Sequence, residues 1–182
     1  GNSCFWYLSE LRELDFSNTS LTYVGNQVIK QCPALERISL PATLRYDNIG
    51  YEFITDTDRL KEIRVDSLNL SLSVVDGVLY AADQTVLLKF PAAMERTTFT
   101  VPSSVRVIAP QAFFSATSLT AVDLSACILQ QIGWQAFAGC SGAQIKVSFN
   151  RNGRNADGST VNLGTDWKEG VLSVEFLQVV EI

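Results

Sequence analysis

Ile132-Gly133-Trp134-Gln135-Ala136-Phe137-Ala138-Gly139-Cys140 repeats the spacing of a pattern that starts 24 residues earlier, at Ile108. From Ile108 the apolar positions are Ala112, Phe113, Ala116, Leu119, Val122 and Leu124. Counted from the first residue as zero, these are offsets 4, 5, 8, 11, 14 and 16. The same offsets hold from Val24, at Val28, Ile29, Cys32, Leu35, Ile38 and Leu40. They hold again from Ile49, at Phe53, Ile54, Leu60, Ile63 and Val65, with Thr57 the one polar exception. One period before Val24 they fall on Cys4, Phe5, Leu8, Leu11, Leu14 and Phe16, with Gly1 at offset one. A period between 20 and 50 residues marks a solenoid, whose units are too small to bury an apolar face alone and must stack on their neighbours.

Within each repeat the apolar spacing changes. Offsets 4, 5, 8 and 11 are three or four apart, which predicts a short helix or helical turns. Offsets 14 and 16 alternate, as in Leu35-x-x-Ile38-x-Leu40, which predicts a short strand with two side chains inward. Pro41 and Pro102 follow such strands, where a proline ends a strand without removing an interior ladder bond. Stacking then forms ladders: Leu11, Leu35, Leu60 and Leu119; and Leu14, Ile38, Ile63 and Val122.

The spacing breaks between Ile49 and Ile108. Asp76-Gly77, flanked by Ser73-Val74-Val75 and Val78-Leu79-Tyr80, predicts a hairpin, and Thr85 to Phe90 another strand. Residues 66–98 are therefore expected to be an imperfect, hairpin-bearing unit inside a solenoid spanning residues 1–147. Residues 148–182, with polar turns near Asn150 to Ser159 and a strand-like stretch from Val171 to Val180, are expected to be a β-rich C-terminal cap with Trp167 as its plug.

Of the 182 residues 47% are apolar and 18% charged, a composition that buries a core rather than staying disordered. The net charge is −5 and the 14 Lys and Arg are scattered singly, which argues against nucleic acid as a partner. No run of 18 apolar residues is present to form a membrane-spanning helix. The chain has no histidine and no C-x-x-C pair, so imidazole triads and Cys/His zinc sites are excluded. Cys4, Cys32, Cys127 and Cys140 read as small thiols filling turns; export would make a disulfide feasible without selecting a pairing. Asp56, Asp58 and Glu62 form the densest acidic run, but Arg59 and Lys61 interleave with them as on a solvated face. The Asn150 to Gly158 stretch lacks the terminal glutamate and flanking helices of a calcium loop, and reads as a polar turn. No catalytic residue, metal or cofactor is expected.

The Ile132 to Cys140 motif, with Val101-Pro102-Ser103-Ser104-Val105 and Gln111-Ala112-Phe113 before it, resembles the BspA-like leucine-rich repeats of bacterial surface proteins. Val75-Asp76-Gly77-Val78-Leu79-Tyr80 with Leu88-Lys89-Phe90-Pro91 resembles an insert common in that family. The sequence departs from the pattern at Val28-Ile29, Phe53-Ile54 and Thr57. The resemblance implies an α/β leucine-rich repeat solenoid, with short parallel strands alternating with short helices or helical turns. About five repeats and the inserted β-hairpin unit make up the array. It also implies display at the cell surface or in the extracellular space, since some relatives are adhesins.

Outward residues of the strand segments tile one sheet face: Glu13, Asp15, Arg37, Ser39, Glu62, Arg64, Asp123 and Lys146. This face is the candidate site for an extracellular protein or glycan. The expected function is noncatalytic, adhesion-like binding, with a passive spacer and a carbohydrate-binding or carbohydrate-processing protein as alternatives. Disulfide and oligomeric states stay open at the level of sequence.

Overall fold

The computed structural model describes residues 1–177; the part of the predicted final strand from Gln178 onward lies outside the described residues. The fold is an all-β solenoid. Among the described residues sixteen short strands occur in order: β1 (Phe5–Trp6), β2 (Glu13–Asp15), β3 (Ile29–Lys30), β4 (Arg37–Leu40), β5 (Ile54–Thr55), β6 (Glu62–Val65), β7 (Leu72–Val75) and β8 (Val78–Ala81). They continue as β9 (Val86–Lys89), β10 (Thr98–Thr100), β11 (Val107–Ile108), β12 (Ala121–Leu124), β13 (Gln131–Ile132), β14 (Gln144–Val147), β15 (Asn162–Leu163) and β16 (Ser173–Glu175). Four sheets result, ordered β1-β3-β5, β2-β4-β6, β10-β12-β14-β16 and β15-β13-β11-β9-β8-β7.

The α/β expectation is overturned, because among the described residues the only helical segment is a three-residue 3-10 turn, Tyr46–Asn48. The segments read as helical run from coil to coil. Backbone N–H groups at offset 5 donate to the next coil: Phe5 to Val28, Ile29 to Phe53, Phe113 to Ala136 and Phe137 to Trp167, at 2.7–2.9 Å. In a helix they would donate four residues back. The backbone also forbids a helix there. Offset 3 (Ser3, Gln27, Glu52, Gln111, Gln135) and offset 7 (Tyr7, Gln31, Asp56, Ser115) have φ between 47° and 59°, the left-handed region, and Gly139 at offset 7 has φ 79°. A right-handed helix cannot pass through such a residue, so two of them four apart bracket a pair of corners. The apolar spacing of three and four comes from those corners.

At offset one the coils approach closely. A Cβ on Gly50 would fall inside the Gly25-Asn26 backbone, and one on Gly133 inside the Pro110 backbone. The strand segments stack in strict register, Ile38 beside Leu14 and Ile63, and Val122 beside Phe99 and Ile145. Leu35, Leu60 and Leu119 are fully buried. Phe90, Phe113 and Phe137 stack in a column with centroid spacings of 5.3 and 4.7 Å, and Trp167 meets Phe137 edge-on at 6.2 Å. Such aromatic pairs stabilise beyond their burial by about 1 kcal/mol each.

The hairpin turns at Asp76 (φ 50°) and Gly77 (φ 81°), as a two-residue turn with both φ positive requires. After it, Leu87 pairs with Ile108 and Phe90 takes the place of offset 5 by donating to Ala112. This coil therefore crosses from offset zero to offset 5 two residues sooner than its neighbours. At the far end Leu163 pairs with Ile132 and Val174 with Ile145, so residues 148–176 add one strand to each of two sheets.

Candidate functional site

The eight predicted face residues fall on two sheets. Glu13, Asp15, Arg37, Ser39, Glu62 and Arg64 lie together on β2-β4-β6, where parallel register sets Glu13 beside Arg37 beside Glu62, and Asp15 beside Ser39 beside Arg64. Asp123 and Lys146 are brought together on the second sheet, β12 beside β14. Alternation along each strand turns these side chains outward while Leu14, Ile38, Ile63, Val122 and Ile145 turn in. Ser39, flanked on both sides, is itself buried.

Charge on the first sheet is internally paired. Arg37 reaches Glu13 at 3.1 Å, and Arg64 grips Glu62 with two nitrogens at 2.7 and 3.0 Å. On the rim Glu36 takes Lys61 at 3.3 Å and Arg12 at 3.6 Å. Exposed pairs of this kind contribute about 0–1 kcal/mol each, so they order the face more than they stabilise the fold. Donors from Ser17 hold the Asp15 carboxyl below its ordinary range, and donors from Ser125 do the same for Asp123. Both carboxylates stay ionised in mildly acidic media.

Sequence reasoning missed Glu175, which register sets beside Lys146, giving a second alternating row Asp123, Lys146, Glu175. This row floors a shallow cleft of about 260 Å³ with Gln144 and Ser173. The long turn-rich passage after Asn150 hid the repeat that delivers Glu175.

A second recess of about 260 Å³ lies where the shortened coil leaves out a corner, bounded by Tyr46, Tyr51, Glu52, Leu88, Lys89 and Pro110. Lys89 is only 3% exposed and its Nζ donates to the Gln111 carbonyl at 3.0 Å. Burial pushes its amine down to about 8, against the opposing pull of the Asp56 and Asp58 carboxylates. In sequence Lys89 looks like the outward member of an alternating strand. Above it the Gln111 side chain accepts from Thr55 and donates to Gln135 at 3.1 Å, which donates to Glu169 at 3.1 Å.

The cysteines are all free. Cys32 and Cys140, both at offset 8, donate to the offset-5 carbonyls of the preceding coils, Phe5 at 3.3 Å and Phe113 at 3.0 Å. Cys127 donates to Pro102 at 3.3 Å. Burial pushes the Cys127 and Cys140 thiols up to about 11, which keeps them protonated and unreactive. In the Asn150 to Ser159 turn the Asn150 and Asp157 oxygens accept from Asn152, Arg154 and Ser159, and the Asn155 amide donates to Leu129 at 2.7 Å. These oxygens are committed to the turn. Among the described residues no cluster of metal-ligating side chains occurs, and no helix is long and apolar enough to cross a membrane.

Against known families, residues 1–74 and 90–157 match six copies of the BspA type leucine rich repeat region. The chain belongs to this family. The gap in the match, 75–89, covers the hairpin turn, β8 and β9, which separate the two halves of this BspA-type array. No curated protein matches the chain. Three solved structures share its fold. A leucine-rich repeat protein from Eubacterium ventriosum is 19% identical with TM-score 0.59, over 94% of this chain and 47% of its own. The pneumococcal vaccine antigen PcpA is 18% identical with TM-score 0.62, over 100% and 55%. A leucine rich cell surface protein from Faecalibacterium prausnitzii is 17% identical with TM-score 0.54, over 94% and 61%. The BspA-type domain thus spans about half the length of these structures. Membership in a repeat family agrees with the noncatalytic reading of the sequence.

Proposed function

We propose that this domain is a noncatalytic binding module displayed at a bacterial surface, which engages an extracellular protein or glycan through its outward strand face. The observation that carries this reading is the pair of registered charge rows, Glu13-Arg37-Glu62 and Asp123-Lys146-Glu175, on exposed parallel sheets. Alternating sign at the strand spacing of about 5 Å recognises a partner of matching alternation, and such complementarity selects partners more than it adds raw affinity. The F. prausnitzii relative is described as a cell surface protein and PcpA as a vaccine antigen, and both support display outside the cell. We read residues 148–176 as the closing unit that covers the end of the core with Phe149, Val161 and Trp167.

A second reading, a passive spacer within a longer surface protein, is favoured by one observation: the face arginines are already paired within the sheet, Arg37 with Glu13 and Arg64 with Glu62. A binding screen of matrix proteins and glycans with the intact chain and an Arg37→Glu/Arg64→Glu variant separates the two. The proposal expects at least one ligand that the variant loses. Silence across the screen favours the spacer, and equal binding by the variant excludes the charged face as the site.

A further inference from the structure

We propose that β7-β8-β9 form a septum dividing the solenoid into two units that open separately, parting along the face of the septum that carries Leu79. The first ground is that the buried side chains fall into two cores. Leu35, Ile38, Leu60 and Ile63 belong to one and Phe113, Leu119, Val122 and Phe137 to the other. Along β8 successive residues alternate between them. Val78 and Tyr80 join the C-terminal core, whereas Leu79 joins the N-terminal core together with Leu72 of β7. On β9, Leu87 lies in the C-terminal core while its neighbour Leu88 packs on the N-terminal one. All four residues of β8 are buried, as in a strand covered on both faces.

The second ground is that the tiled sheets stop here. Within each half, coils are joined by parallel pairing, but β6 pairs only with β4, β10 only with β12, and β5 ends its sheet. The septum is tied to the C-terminal unit, since β9 pairs with β11 as well as β8. Bonds from the N-terminal unit to the septum and the chain beyond it are few: the Tyr46 N–H to Ser71 Oγ at 2.7 Å, the Ser71 and Leu72 N–H groups to Asn69 Oδ1 at 2.8 Å, the Ala93 N–H to Leu60 at 2.8 Å, and the Thr55 hydroxyl to Gln111. Lys89 adds a buried ammonium with a single protein acceptor at this plane.

In an array of stacked units, stability is the sum of unit terms and nearest-neighbour terms, so the junction with fewest ladder bonds and a buried charge parts first. On parting, residues 1–65 and the loop through Asn69 move together, because Asn69 Nδ2 donates to Pro41 and Leu44 at 2.7 and 2.9 Å. Leu72, Leu79 and Leu88 are the side chains uncovered. The unit that remains keeps the phenylalanine column intact.

Hydrogen exchange on the intact chain, read by mass spectrometry at two sets of amides, tests this. One set is Arg37–Leu40 and Glu62–Val65, the other Ala121–Leu124 and Gln144–Val147. Leu79→Ala should accelerate the first set by roughly 30-fold or more and leave the second within about 2-fold, from the cost of a buried Leu→Ala change. Leu87→Ala should do the reverse. Leu79→Val and Leu87→Val carry the same expectation at smaller amplitude if an alanine variant does not fold. Equal acceleration of both sets by either variant would show one cooperative unit and overturn the proposal.

Discussion

The Lys89 ammonium donates to the Gln111 carbonyl oxygen at 3.0 Å, and among the described residues no carboxylate comes within ion-pairing distance of it. The amine is held at about 8 in the folded chain against 10.5 in the open, so between these values the unfolded chain binds more protons. Stability therefore rises with pH over that window, and below about pH 8 the penalty is constant. The shift is worth about 3 kcal/mol at most. The Cys127 and Cys140 thiols act with opposite sign above pH 9, since their folded values lie near 11 and the unfolded chain loses those protons first. Urea unfolding of wild type and Lys89→Met from pH 7 to 10.5 isolates the lysine. The wild-type deficit relative to the variant should shrink as pH rises, and a deficit independent of pH would refute the account of Lys89.

Close approach at offset one ranks the glycines. Gly133→Ala pushes a methyl group into the Pro110 backbone and should cost about 1–3 kcal/mol, as overpacking does. Gly158 has a positive φ of 83° but open space around it, so Gly158→Ala should cost only about 1 kcal/mol through backbone strain. Denaturant midpoints of the two variants give the order. Equal costs would mean that the coils are further apart than described.

Much of this fold could be read from sequence because inward apolar positions recur at fixed offsets, and Asp76-Gly77 suits a turn that few other residue pairs allow. The helix expectation failed for a physical reason. Offsets 4, 5 and 8 point inward from two corners, and the residues that set those corners share no chemistry: Gln27, Glu52 and Gln135 at one, Tyr7, Asp56 and Ser115 at the other. Their common feature is a backbone angle that a residue name does not reveal. Strand alternation sufficed to set Glu13, Asp15, Arg37, Ser39, Glu62 and Arg64 on one sheet, though Ser39 is buried between its neighbours. Glu175 was hidden by the irregular turns before it, and Lys89 by a coil two residues short, which no periodicity can announce.

Thiol reactivity follows from burial. Cys4 is exposed while Cys32, Cys127 and Cys140 are buried and donate to backbone carbonyls. Maleimide labelling of the native chain at pH 7 should therefore modify Cys4 within minutes and the other three only in denaturant. Rapid labelling of Cys140 in the native chain would contradict its placement between coils.

Leu60 is fully buried in the N-terminal ladder, and its carbonyl receives the Ala93 N–H that ties the two halves. Leu60→Ala should cost about 2–5 kcal/mol. Because stacked units depend on neighbours, the loss should appear in Arg37–Leu40 exchange before it reaches Gln144–Val147.

At Phe5, Ile29, Phe113 and Phe137 the offset-5 N–H donates to the next coil and not four residues back along its own segment. Scalar coupling across hydrogen bonds, measured by NMR on the labelled chain, reads this at one amide. The Phe113 N–H should couple to the Ala136 carbonyl carbon, to which it donates at 2.7 Å. Coupling to Ala109, four residues back, would restore the helix and contradict the fold.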